Sequence, residues 1–258
     1  MTASSSLSRL GQQVIVLTWA ALKSRYRKTF AGFLWVLLNP LIMFSVQAMV
    51  FKQFLRINVP NFYVFLLSGL IPWIFLVQTV QMSTPTLVSN AGLMKSFRFH
   101  PIVLVGSVVL DNFVNFILSL LILAIPTMLA SEVPLERLLY LPLCLLPFLL
   151  GTVAISAFTA LFNVFFRDTN FVLGFSFAVL FYLTPVFYPL EFIPAHLHWV
   201  VDCNPFYQLL RPFQVAITGA DLSLFWSVWW RALAWSSGMA IVSVWYWRRK
   251  QNAVYFHL

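Results

Sequence analysis

A long uncharged stretch that is broken by prolines constrains this chain more than any other feature. Residues 171–189 carry no charged side chain, and about 20 such residues are enough for a helix that crosses a bilayer. Three prolines interrupt its end and the residues just beyond it: Pro185, Pro189 and Pro194. Interrupted backbone at membrane depth must be buried by protein or bathed by a water-filled cavity. We therefore predict a span at 171–189, followed by a re-entrant helical hairpin at 196–217. An aromatic belt with an ordinary loop is the alternative.

The composition indicates a membrane protein. Hydrophobic residues make up 61% of the chain and charged residues 9%, which lies outside the range of soluble globular domains. We predict an all-α integral membrane protein, and 258 residues leave room for little beyond six spans. The predicted spans are residues 33–54, 62–81, 102–130, 138–166, 171–189 and 225–247.

The first residues predict an amphipathic helix at the membrane surface. Over 7–29, apolar residues recur every three or four positions and basic residues follow near its end, a pattern typical of helices that lie in the interface. A disordered basic tail is the alternative. The segment lacks the order of basic, apolar and small residues that marks a cleavable signal peptide.

The basic residues predict the orientation in the membrane. When the 16 lysines and arginines are placed on the predicted loops and helix ends, eleven fall on one side and five on the other. The positive-inside rule then places both termini in the cytoplasm. Anionic lipid headgroups explain this charge more simply than nucleic acid does, so we expect membrane lipids and no nucleic acid as partners.

Polar residues inside the spans each allow a structural and a functional interpretation. Asn39 and Gln47 share one face of the first span, where amides hold helices together or line a hydrated path. Asp111 is the only acid inside a predicted span. Such a carboxylate is a candidate proton relay, but it could equally be hydrogen-bonded within the bundle or reach cytoplasmic water.

A segment between the second and third spans predicts a short cytoplasmic helix at 90–98. It mixes apolar and basic side chains and is flanked by Pro85 and Pro101. Such a helix suits a groove on another protein, or it lies flat on lipid.

The sequence lacks the motifs of an enzyme. No glycine is followed by lysine, so there is no phosphate-binding loop, and no serine occupies a nucleophile elbow. We interpret His196 and His198, which lie near two acids, as a polar loop surface and not as a metal site. Cys144 and Cys203 are expected at different depths and therefore as free thiols. The chain moves something or holds something.

Five motifs occur in order along nearly the whole chain. They are LKSRYRKTFAGFLWVLLNPL at 22–41, SNAGLMKSFRFHP at 89–101, Arg167-Asp168, LTPVFY at 183–188, and Asn204-Pro205. Each is loose alone, but together they resemble the membrane subunit of type-2 ABC transporters that export bacterial polysaccharides such as O-antigen, capsule and teichoic acid. Residues 97–101, FRFHP, differ from the proline–arginine pattern of many members.

This resemblance implies a homodimeric channel of six-span subunits in the bacterial inner membrane, working with two separate ATP-binding-cassette subunits. ATP and Mg²⁺ would be bound by those partners, so we expect no catalytic residue, cofactor or metal in this chain. The cargo would be a polysaccharide, lipid-linked in our prediction, and periplasmic export components are further expected partners.

The resemblance also assigns candidate site residues. The helix between spans two and three would contact the ATPase through Asn90, Leu93, Lys95, Phe97 and Arg98. Spans one and five would line the channel, which makes the candidate lining residues Trp35, Asn39, Gln47, Tyr182, Phe187 and Tyr188.

Three alternatives remain at the level of the sequence. One is an ABC exporter of another amphiphile or a drug, and another is an ion-coupled secondary transporter that uses Asp111, for which inverted repeats would be expected. The third is a structural scaffold, in which changes on the channel face would be harmless.

Overall fold

The computed structural model describes residues 3–27, 32–54, 56, 59–96, 100–131, 134–218, 222–251 and 253–254. These residues form helices and turns without a β-strand, which confirms the predicted all-α class. The α-helices are α1 Ala3–Arg27, α2 Gly32–Ala48, α3 Phe62–Ser83, α4 Thr86–Ser89, α5 Ala91–Ser96, α6 Ile102–Ser119, α7 Ile125–Ala130, α8 Leu141–Phe165, α9 Thr169–Leu183, α10 His198–Asp202, α11 Pro205–Thr218 and α12 Leu222–Lys250. Wider π-helical turns continue α2 through Met49–Phe54 and join α6 to α7 through Leu120–Ala124, and 3-10 turns occur at Leu135–Tyr140, Leu190–Phe192 and Ala195–Leu197.

Three helical stretches of the described chain are long and apolar enough to cross a membrane: Phe62–Ser83, Ile102–Ala130 and Glu136–Phe165. They cover the predicted second, third and fourth spans. The helices α2, α9 and α12 lie where the other three spans are predicted, and the status of those helices as spans stays a prediction.

The end of α9 differs from the predicted span 171–189. The helix stops at Leu183, and Thr184 has extended backbone with φ −99° and ψ 130°. The reason is Pro185, whose ring disfavours the helical conformation of the residue before it. The residues of the predicted span that follow Leu183 form an irregular segment, at the prolines where the sequence indicates a break.

Helix α3 lies at the centre of the bundle. In its most apolar window 78% of the residues are buried, against 33% in the windows of Ile102–Ala130 and Glu136–Phe165. Phe75 of α3 lies 4.9 Å from Phe116 and 5.4 Å from Phe148, ring centre to ring centre, and Phe213 of α11 lies 5.1 Å from Phe148. Such aromatic pairs each contribute about 0.5–1.5 kcal/mol beyond burial. This cluster joins α3, α6, α8 and α11.

The N-terminal helix α1 packs on α6. Val14 lies against Gly106, where an added Cβ would approach the valine methyl to 3.2 Å. The Thr18 hydroxyl donates to the carbonyl of Val14 at 2.8 Å and lies 3.3 Å from the carbonyl of Ser107. Trp19, on another face, is 70% exposed. One face of the helix is therefore held by protein, and another is open to its surroundings.

Candidate functional site

A groove of about 480 Å³ runs between α2, α3 and α9. Three of the predicted channel residues line it together: Asn39 and Gln47 from α2, and Tyr182 from α9. Helix periodicity explains the pair on α2, because residues eight apart lie on one face. The structure adds that this face opens toward α9, which spacing within one helix cannot indicate.

The groove also contains residues that the candidate set omitted. Gln78 and Gln81 of α3 lie along it, together with the aromatic rings of Trp73, Phe177 and Phe181. The two glutamines stand one turn apart in a mostly apolar helix, and this was the signal available in the sequence. The lining thus combines four amides with aromatic faces.

Phe187 and Tyr188 are not among the residues that line the groove. Phe187 is 5% exposed, and its ring lies 4.5 Å from that of Phe51 and 5.3 Å from that of Phe181. The Tyr188 hydroxyl donates to the carbonyl of Tyr182 at 2.9 Å. Both side chains therefore support the groove wall from behind. The side chain of Trp35 lies outside the described part of the chain.

The proline-broken segment after α9 is buried by protein. Thr184 and Val186 are fully buried, and the Val186 amide donates to the carbonyl of Thr184 at 2.6 Å. Gln214 of α11 donates its side-chain amide to the carbonyl of Pro185 at 2.7 Å. A carbonyl that the helix no longer satisfies thus receives a side-chain donor, as an apolar environment requires.

Asn204 links this segment to the start of α11. Its amide nitrogen donates to the Thr184 hydroxyl at 2.9 Å, and its carbonyl oxygen accepts from the Phe206 amide at 2.9 Å. The second contact is an N-terminal cap, which satisfies a backbone donor that the first helical turn leaves open. Asn204 therefore fixes where α10 ends and α11 begins, within the region predicted as the hairpin 196–217. The insertion of this hairpin into the membrane stays a prediction.

Helix α11 packs directly behind the broken segment. Most of its side chains between Tyr207 and Ile217 are buried, and it contacts α3, α8 and α12. Gly69 of α3 allows the close approach, because an added Cβ there would lie 2.7 Å from the Val186 carbonyl oxygen. Only a residue without a side chain lets α3 lie this close to that backbone.

The predicted docking residues lie partly on α5. Lys95 is exposed, Leu93 is half-buried and Asn90, half-buried just before the helix, donates its side-chain amide to the carbonyl of Thr86 at 2.8 Å. Met94 is 2% exposed and belongs to a buried hydrophobic cluster that includes residues of α6 and α8. Phe97 and Arg98 lie outside the described residues. The exposed basic side of α5 is thus available to a partner, while its opposite side is fixed in the bundle.

Two further candidates lie apart from the groove. Asp111 is 2% exposed within α6 and is not among the residues that line it. A ring nitrogen of His198 lies 2.9 Å from the carbonyl of Ile193, so this histidine is hydrogen-bonded within its own loop. In the part of the chain that the structure describes, no group of three or more His, Cys, Asp or Glu side chains could hold a metal ion.

The chain resembles known proteins over most of its length. Residues 12–218 match the family described as ABC-2 type transporter. The chain is 34% identical over 203 residues to the O-antigen export system permease protein RfbA of Myxococcus xanthus, which covers 78% of each chain. Two proteins of the same name from Klebsiella pneumoniae are 28% identical over 201 residues, again with 78% of each chain covered. The matched residues include the whole groove and α5.

Proposed function

Since this chain belongs to the ABC-2 type transporter family, we propose that it is the channel-forming permease subunit of an ATP-driven exporter. The motifs in the sequence had already indicated its resemblance to this family. Its cargo is a lipid-linked polysaccharide of the O-antigen kind, which it moves from the cytoplasm across the bacterial inner membrane. The groove between α2, α3 and α9, with its amides and aromatic rings, is the observation that carries this proposal. The names of the relatives support the class of cargo.

The groove has the chemistry that a sugar chain requires. Sugar rings present apolar C–H faces between hydroxyl groups. Phe181 and Tyr182 offer rigid aromatic surfaces to the apolar faces of the sugar rings. Gln78 and Gln81 can donate hydrogen bonds to the sugar hydroxyl groups and accept hydrogen bonds from them. A polymer that must slide is served better by several weak contacts than by one strong pocket. Among the described residues that line the groove none is charged, which meets that condition.

A second copy of the chain would close the groove into a channel. The helices on its two sides carry exposed apolar residues, with Phe171 79% and Phe175 74% exposed on α9, and Ile42 51% and Val46 52% exposed on α2. Such faces are covered by lipid or by protein in a membrane protein. In a symmetric dimer the same face of each subunit meets its copy, so pairing at α2 and α9 would enclose two grooves in one passage.

The energy would come from two ATP-binding-cassette subunits, which hold the ATP and Mg²⁺. Lys95 and the exposed side of α5 would contact them. Because Met94 of α5 is buried in a hydrophobic cluster with residues of α6 and α8, a movement of α5 on nucleotide closure would be transmitted to packed helices of the bundle. The chain itself would then need no nucleotide site.

Purification of the tagged chain in mild detergent tests this proposal. We expect an ATPase subunit in equimolar amount and ATP hydrolysis that depends on this chain. Lys95→Glu should reduce the recovery of the ATPase subunit. Lys52→Glu should not, because Lys52 is one of the five basic residues that the predicted orientation places on the opposite side of the membrane. Repeated recovery of the chain alone, or equal recovery of the ATPase subunit with Lys95→Glu, would contradict the proposed docking.

A further inference from the structure

A second groove lies between α8 and α12. Its volume is about 580 Å³, and its lining is apolar, with Ile155 and Phe158 from α8 and Trp235, Gly238 and Val242 from α12. Gly238 forms part of its floor, and an added Cβ there would meet no atom within 4 Å. The groove is therefore unfilled by its own side chains, and its lining residues are apolar, which suits contact with hydrocarbon if α12 is the predicted sixth span.

The groove-facing stripe of α12 leads directly to basic residues. Trp235, Gly238 and Val242 follow one another at intervals of three and four residues, and the same intervals continue to Trp245 and Arg249. The Arg249 guanidinium lies 4.5 Å from the ring centre of Trp245, so the cation is held over an aromatic face at the end of the stripe.

Aromatic rings mark the boundary between the groove and this basic end. Tyr246 lies 5.1 Å from Phe158, ring centre to ring centre, and Phe158 lies 5.8 Å from Phe162. Beyond them, the Lys250 ammonium lies 5.6 Å from the ring centre of Phe165 at the end of α8. Such an arrangement, with carbon below, aromatic rings between and cations above, matches the layers of a bilayer leaflet from acyl chains to headgroups.

We propose that this surface is a binding site for an anionic phospholipid. One acyl chain lies in the groove against Gly238, and the phosphate lies among Arg248, Arg249 and Lys250, all of which are exposed. Cations at this depth attract anionic headgroups, and the groove adds close packing that a flat helix surface lacks. Charge also argues against a second copy as the occupant, because a symmetric contact through this face would bring two such basic clusters together.

Native mass spectrometry of the purified chain with added lipid tests the site. The probes are phosphatidylglycerol and phosphatidylcholine with the same acyl chains, so that only the headgroup charge differs. We expect the chain to retain phosphatidylglycerol and to bind phosphatidylcholine more weakly. Arg249→Gln with Lys250→Gln should weaken phosphatidylglycerol binding about 25-fold, at about fivefold for each charge. Arg231→Gln, an exposed arginine toward the other end of α12, is the matched control and should leave it unchanged.

The groove itself is tested by filling it. Gly238→Leu adds a side chain in open space and would displace the acyl chain, and the loss of about ten carbon–carbon contacts should weaken binding at least about fivefold. Val244→Leu adds bulk on α12 at an exposed residue outside the lining and should have no effect. Any of three results would overturn the proposal: equal binding of both lipids, unchanged phosphatidylglycerol binding in Gly238→Leu, or the recovery of a second protein chain bound to the purified chain in place of lipid. None of these outcomes depends on which polymer is exported.

Discussion

Gly69→Ala is expected to disturb the broken segment after α9 by adding one methyl group. That methyl would lie 2.7 Å from the Val186 carbonyl oxygen and 3.0 Å from the Gln214 amide nitrogen. Carbon and oxygen atoms in contact normally stay at least about 3.3 Å apart, so the carbonyl or α3 must move by about 0.6 Å. The carbonyl cannot move freely, because Val186 is fully buried and Pro185, just before it, is held by Gln214.

The net cost follows from opposing contributions. Overpacking of a buried contact costs about 1–3 kcal/mol, and weakening the hydrogen bond between Gln214 and Pro185 adds about 1 kcal/mol. Replacing glycine by alanine inside a helix returns about 1 kcal/mol of helix propensity. We therefore expect Gly69→Ala to lower the free energy of unfolding by about 1–3 kcal/mol, or the melting temperature by roughly 3–9 °C at about 3 °C per kcal/mol.

Thermal unfolding of Gly69→Ala and of the control Gly11→Ala in one detergent measures this effect. Gly11 is also inside a helix, but a Cβ there meets no atom within 4 Å, so Gly11→Ala should gain only the helix-propensity contribution and melt at or above the wild type. The same pair should differ in export, since displacement of the segment beside Phe187 shifts the wall behind the groove. A Gly69→Ala chain that melts and exports like Gly11→Ala would refute the close approach.

Three further predictions separate the groove, the cap and the thiols. Tyr182→Ala should slow export severalfold without a change in melting temperature, because the side chain is 67% exposed and contributes one aromatic face. Phe187→Ala should instead lower the free energy of unfolding by about 3–5 kcal/mol through the cavity it leaves. The reverse pattern of export and melting would contradict the assignment of Tyr182 to the groove lining and of Phe187 to the wall behind it. Asn204→Ala should lower the free energy of unfolding by about 1–2 kcal/mol, measured by thermal unfolding, because the helix cap is lost. Asn204→Asp keeps the cap acceptor and should lose less stability. Equal losses of stability in the two variants would show that the cap is not the cause. Cys203 is exposed and Cys144 is buried, so a maleimide should label the folded chain at Cys203 and reach Cys144 only after unfolding, and rapid labelling of a Cys203→Ser chain would show that Cys144 is accessible.

Much of the helical architecture follows from local physical chemistry that a sequence displays. Long apolar runs with at most one charged residue predicted helices that correspond to α3, α8 and the α6–α7 stretch, because backbone in hydrocarbon must satisfy its own hydrogen bonds. The motifs in their order indicated the family, and residues 12–218 match it. Pro185 was visible in the sequence as a break near the end of the predicted span 171–189, and α9 ends two residues before it.

Tertiary structure alone decided which side chains line the groove. Tyr182 and Phe187 belong to one aromatic stretch and looked equivalent as channel residues, yet one is 67% exposed and the other 5%. The difference arises because the chain turns at Thr184, which directs Phe187 onto Phe51 of the π-helical turn after α2. Helix periodicity specifies which residues share a face, but the partner that this face meets depends on contacts between residues distant in sequence. For this chain those contacts run from Gln214 and Asn204 of the α11 region back to the broken segment, and no local pattern contains them.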